Sequence, residues 1–143
     1  MQILERNESL REHLQKQLVG LNLNETSLYL VKYLINSLDD NGFLNRDLYS
    51  ISSDLLINNN KPVSEEFLKE MLHVLQNLDP IGVGTKNLQE SLLLQLKKLY
   101  KQEKIAIKII SKYYTAFSNK NYNLLIKELN VSEKKLKQIY ALI

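Results

Sequence analysis

The stretch Leu78-Asp79-Pro80-Ile81-Gly82-Val83-Gly84-Thr85-Lys86-Asn87-Leu88-Gln89-Glu90-Ser91-Leu92-Leu93-Leu94-Gln95-Leu96 decides how this chain folds. Before it, Ser64 offers a capping hydroxyl and Glu65 and Glu66 sit where a helix dipole favours carboxylates. Leu68, Met71, Leu72, Leu75 and Leu78 then recur at helical spacing. Asp79-Pro80 ends that helix, because proline turns the preceding residue away from the helical conformation. Gly82 and Gly84 are two of only four glycines in the chain. After them a longer helix is predicted from about Lys86 to Lys101, with Leu88, Leu92, Gln95, Leu96 and Leu99 near one face. A turn this short between helices commonly needs positive φ, so Gly82 and Gly84 are expected to act through backbone geometry and Val83 through packing. The segment is expected to set the angle between two helical bundles. Gly82-Val83-Gly84 lacks the Gly-Lys-Ser/Thr ending of a phosphate loop and follows a helix, so it does not read as a nucleotide cradle.

Working outward, the helical signals continue. Ser9-Leu10-Arg11-Glu12 is a capping box, opening a helix with Leu10, Leu14, Leu18 and Leu21 on one face. Asn24 caps a second helix carrying Leu28, Val31, Leu34, Ile35 and Leu38. Asp39-Asp40-Asn41-Gly42 stops it, with Gly42 suited to the left-handed conformation, and Phe43 and Leu44 are expected to fold back onto the core. A short helix follows from about Asp47 to Leu56, then a loop over Asn58-Asn59-Asn60-Lys61-Pro62. Ile105, Ile109, Tyr113 and Phe117 keep helical spacing, and Asn119-Lys120-Asn121 makes a turn. Tyr122 to Leu129 and Glu133 to Ile143 are two short helices around a tight turn capped by Ser132, packed by Leu125, Leu129, Val131, Leu136, Ile139 and Tyr140. That is a helix-turn-helix outline.

These elements predict an all-α chain of about eight short-to-medium helices in two packed sub-bundles, the last with the helix-turn-helix outline. Residues 1–8 read as an N-terminal tail, 9–80 as the first sub-bundle, and 81–143 as the second, truncated within its C-terminal helix as though cut from a longer protein. At 143 residues, 44% hydrophobic and 24% charged, the chain is of one-domain size and globular composition. It has no cysteine, which excludes disulfides and thiolate metal sites and fits a reducing cytoplasm. No apolar run suits a signal or a membrane span.

The net charge of +3 is unevenly spread. Residues 1–80 hold 7 basic and 12 acidic residues, whereas 81–143 hold 12 basic and 4 acidic. The basic half suits either an acidic partner or plain solvation of helix surfaces.

Catalysis, metals and cofactors find no support. His13 and His73 are isolated in sequence from other ligand-type residues. With Gly42 at the sixth position of a calcium loop, Ser37 would be first and Leu48 twelfth, where a bidentate Glu is required. The second helix of the helix-turn-helix outline has Lys134, Lys135, Lys137 and Gln138 but no Arg, so protein binding ranks above DNA reading. An autonomous helix-turn-helix DNA-binding regulator remains the alternative to a protein-interaction module.

Four blocks, in order, resemble the core-binding region of the sigma-54 family of bacterial transcription factors. They are Leu10-Arg11-Glu12-His13-Leu14 with Gln17-Leu18; Ile35 to Leu44; Leu78 to Leu96; and Tyr122-Asn123-Leu124-Leu125 to Val131-Ser132-Glu133. Ile81 and Thr85 stand where that family usually has Ala, Lys86-Asn87 replaces Arg-Asp, and Ser91 replaces Cys. The resemblance implies a bacterial, cytoplasmic, non-enzymatic role: binding core RNA polymerase, including the flap of its beta subunit. Promoter DNA and an ATP-dependent activator would be reached only through the full-length protein, and no membrane or small-molecule ligand is expected. It singles out, as structural or core-binding positions, Leu10, Arg11, His13, Leu14, Leu38, Asp39, Asp40, Gly42, Leu78, Asp79, Pro80, Gly82, Val83, Gly84, Leu88, Leu92 and Gln95.

Overall fold

The structure, a computed structural model, describes residues 9–143, so the expectation for residues 1–8 lies outside the described residues. Among the described residues there are nine helices and no strand: α1 Leu10–Leu18, α2 Glu25–Asn36, α3 Leu48–Asn59, α4 Glu65–Gln76, α5 Leu88–Leu99, α6 Lys104–Lys112, α7 Tyr114–Ser118, α8 Tyr122–Leu129 and α9 Glu133–Leu142. The fold is all-α, as the periodicity predicts. The described residues fall into two compact units, one ending at Asn87 and the other spanning Leu88–Ile143.

Local chemistry sets most helix starts. At α1 the Ser9 hydroxyl accepts from the Glu12 amide at 3.2 Å, and the Glu12 carboxylate accepts from the Ser9 amide at 3.1 Å. At α2, α3, α4 and α9 the side chains of Asn24, Asp47, Ser64 and Ser132 each accept from the amide three residues on, without the reciprocal bond. Each cap satisfies an amide that the first helical turn leaves without a partner.

In the first unit α2 packs on α1 and α4, and α3 packs on α4. Leu14, Val31, Leu34, Ile35, Ile51, Leu55, Leu68 and Leu75 are completely buried there, and Leu38, Leu44, Leu78 and Val83 join them from turns. Leu21 does not share the α1 face: the helix ends at Leu18, and Leu21 is 40% exposed in the turn beyond. Leu44 folds onto the core as expected, while Phe43 stays half-buried. α3 runs to Asn59 and not to Leu56. Asn58 and Asn59 read as loop by composition, but the helix continues until Asn60, whose left-handed conformation lets the Lys61 amide reach the Leu55 carbonyl at 2.8 Å.

In the second unit α5 to α9 pack in succession around Leu96, Ala106, Ile109, Ile110, Leu125, Leu136 and Ile139. The predicted face of α5 is buried at its middle, where Leu92 and Leu96 pack on the core, but not at its ends. Ser91 and Leu96 face inward, whereas Leu88 is 52% and Leu99 56% exposed. The helical spacing of Ile105, Ile109, Tyr113 and Phe117 spans two helices, because Tyr113, with φ of −125° and ψ of 32°, separates α6 from α7.

Candidate functional site

Three of the motif blocks, far apart in sequence, meet in the first unit. α1 brings Leu10, Arg11, His13 and Leu14; the turn after α2 brings Leu38 to Gly42; the turn after α4 brings Leu78 to Gly84. The Arg11 guanidinium donates to the Leu38 carbonyl, in the turn just beyond α2. His13 Nε2 lies 3.2 Å from an Asp79 carboxylate oxygen. The Gln17 side-chain amide clamps the backbone of Asp79: its Nε2 donates to the Asp79 carbonyl at 2.6 Å and its Oε1 accepts from the Asp79 amide at 2.8 Å. The Asp79–Pro80 peptide is cis.

The two turns are also joined to each other. The Gly84 amide donates to the Gly42 carbonyl at 2.9 Å, and the Leu44 amide donates to the Thr85 carbonyl at 2.9 Å. Gly42, Gly82 and Gly84 have φ of 86°, 99° and 80°, values that an L side chain opposes. Val83 is inserted between them into the core, 3% exposed. Gln76 Nε2 donates to the Gly84 carbonyl at 3.1 Å, and Thr85 Oγ1 donates to the Gly82 carbonyl at 2.6 Å. The segment around Gly82 to Gly84 thus belongs to the first unit and is held from both sides.

Asp39 organises its own turn. One carboxylate oxygen accepts from the Asn41 and Phe43 amides, each at 2.9 Å, and the other accepts from Asn45 Nδ2 at 2.9 Å. The Phe43 amide, foremost, and the Asn45, Asn41 and Gly42 donors hold this carboxyl below its ordinary value, against a smaller opposing effect of burial. A depressed folded pKa contributes stability that is present above the unfolded pKa and lost as pH falls through the folded one. Thermal melting should therefore be flat near neutrality and drop below the ordinary carboxylate value of 3.8. Asp39→Ala should melt lower at neutral pH and show a shallower acid drop; an identical acid drop would remove Asp39 from this role.

Asp40 and Pro80 are exposed, and the Asp79 side chain is 78% exposed, so the acidic rim of this site faces solvent. Leu10 is half-buried and Leu14, Leu38, Leu78 and Val83 are buried. Leu88, Leu92 and Gln95 are not part of the cluster. They lie on α5 in the second unit, where Gln95 Nε2 donates to Ser91 Oγ at 3.1 Å. Gln17, Gln76 and Thr85 carry much of the site but escaped sequence reasoning as site residues, since no local pattern marks a partner 62 residues away. Exposed apolar side chains were missed as well. Tyr49, Leu56 and Ile57 lie at one-face spacing on α3 and are 67%, 53% and 77% exposed.

Among the described residues no three His, Cys, Asp or Glu side chains are grouped to hold a metal ion, and no helix is long and apolar enough to cross a membrane.

Comparison with known proteins agrees with the block pattern. The chain matches the family described as "Sigma-54 factor, core binding domain" across residues 1–143. It is 32% identical to an RNA polymerase sigma-54 factor of Bacillus subtilis over 131 residues, covering 92% of this chain and 29% of that protein. It is 31% identical to the RNA polymerase sigma-54 factor of Acidithiobacillus ferridurans, covering 96% and 29% of the two chains. For the one from Pseudomonas aeruginosa the identity is 29%, covering 95% and 28%. The chain therefore spans less than a third of the length of these relatives.

Proposed function

From the premise that this chain belongs to the sigma-54 factor core-binding domain family, we propose that it docks on core RNA polymerase as part of a sigma-54-type transcription initiation factor. The observation that carries the reading is the family match over the whole of residues 1–143. The role is one of binding, with no catalysis, cofactor or small-molecule ligand, and its setting is the bacterial cytoplasm. The beta-subunit flap is the proposed contact on the polymerase. Promoter recognition and the response to an ATP-dependent activator belong to the full-length factor.

The structure supports this reading through two features. The joined turns hold Asp40 and Asp79 on a stiff frame, which limits the entropy lost on docking. The outer face of α3 supplies apolar anchors of the kind that dominate protein interfaces, with Tyr49 and Ile57 the most exposed. We assign the motif residues chiefly to building this frame, and Tyr49, Leu56 and Ile57 to the contact.

Coprecipitation with core polymerase tests the proposal. The chain should be retained, and Tyr49→Ala together with Ile57→Ala should weaken retention at least about tenfold while melting like the parent, as expected of anchor residues. The chain alone should prefer a sigma-54-type promoter over random DNA only weakly. Strong sequence-selective promoter binding without polymerase, or no retention by polymerase, would overturn it.

A further inference from the structure

The second unit ends in two helices whose exposed side has no part in the reading above. α8 and α9 are joined by Asn130-Val131-Ser132, with Asn130 left-handed at φ 53° and Ser132 capping α9. Leu125, Leu136 and Ile139 are buried between the helices of this unit, so the orientation of α9 about its own axis is fixed. On its outer side Lys134, Lys137, Gln138 and Ala141 share one face, with Lys134 three and four residues before Lys137 and Gln138, and Ala141 four and three after them, and all are exposed. No large apolar side chain interrupts that stripe. Residues 88–143 carry 11 Lys and 4 Glu, with no Arg and no Asp.

We propose that the outer face of α9 binds the phosphate backbone of duplex nucleic acid without reading its sequence. A helix projecting from a helix-turn-helix fits a major groove, and lysines meet phosphates as mobile point charges. A protein partner would call for aromatic or aliphatic anchors at the centre of the contact; the stripe itself has none, and the exposed Tyr122 lies to one side, in the cleft that Lys137 helps to line. Arg, the commonest reader of guanine, is missing, so base selection is not expected. Two acidic groups limit the contact. Glu133 lies 3.9 Å from Lys137, and Lys135 is drawn to Glu103 at 4.0 Å. That sets Lys135 aside, whereas the Glu133–Lys137 pair is solvent-exposed on both sides and open to exchange, so Lys134, Lys137 and the exposed Lys127 of α8 are the proposed contributors. This site goes beyond polymerase docking and does not depend on it.

The test is anisotropy of a short random-sequence labelled duplex, titrated with the full chain between about 50 and 200 mM salt. The chain should bind, and binding should weaken steeply with salt. The triple variant Lys127→Ala, Lys134→Ala, Lys137→Ala should flatten the log–log salt slope by about 2–3. The variant Lys97→Ala, Lys101→Ala, Lys104→Ala removes the same charge from α5, α6 and the turn between them, and should flatten it by less than about 1. No binding at the lowest salt, or equal flattening by both variants, would overturn the site. So would displacement of the duplex by an equal concentration of a polyglutamate peptide, which would make the face a protein-docking surface. Polymerase retention, measured separately, would stand or fall independently of these outcomes.

Discussion

Gly42→Ala should destabilise the first unit by about 2 kcal/mol or more, read as a fall in melting temperature of at least about 8 °C. The left-handed conformation at φ 86° accounts for roughly 1–2 kcal/mol of that, since any Cβ there approaches the carbonyl beyond it. Space is short too. A Cβ would come within 2.9 Å of Leu10 Cδ2 and 3.5 Å of Val83 Cγ2. Leu10 is half-buried and its methyl end can turn aside, so the clash adds to the backbone strain without dominating it. Gly20 is the internal control. Its Cβ would meet only the Gln17 carbonyl, at 3.8 Å, so Gly20→Ala should be neutral or slightly stabilising. If Gly42→Ala and Gly20→Ala melt alike, the joined turns are not under the constraint described.

Leu75→Ala should cost about 2–5 kcal/mol, because a completely buried side chain would leave a cavity at the centre of the first unit. Its coupling to Gly84 is the more informative result. A Cβ on Gly84 would lie 3.3 Å from Leu75 Cγ, Leu75 Cδ2 and Gln76 Cγ, and φ there is 80°. Gly84→Ala alone should therefore carry both backbone strain and crowding. In the Leu75→Ala background the Leu75 part of the crowding disappears, and only the strain and the Gln76 contact remain. The double variant should be more stable than the sum of the two single losses by about 0.5–1 kcal/mol, the range expected of neighbours in contact. Strict additivity in denaturant melts would mean that the turn relaxes away from α4 and that the packing of Gly84 on Leu75 does not constrain it.

What the chain's residues disclosed beforehand follows the range of each interaction. Caps act over three residues, so Ser9, Asn24, Ser64 and Ser132 could be read directly, and Gly42, Gly82 and Gly84 announced the turns that the φ values display. Where the competing forces are tertiary, local reading failed. Asn58 and Asn59 favour loops by themselves, yet α3 retains them. Nothing in the type of Tyr113 announces a break, because neither Gly nor Pro is present and the half-buried ring simply continues the apolar periodicity. The outward turn of Leu88 and Leu99 was equally hidden, since Leu at helical spacing reads as core whichever side the neighbouring helices cover. Of the site, the residue types were legible, but not the Gln17 clamp on Asp79 or the Gly84-to-Gly42 hydrogen bond, which exist only once the fold brings residues tens of positions apart together.

A titration of fluorescently labelled chain with purified bacterial core RNA polymerase, followed by competition with a full-length sigma-54 factor, tests the central claim most directly. Binding should saturate at one chain per polymerase, be displaced by the full-length factor and be weakened by Tyr49→Ala with Ile57→Ala. Absence of saturable binding, or binding that the full-length factor leaves untouched, would contradict it.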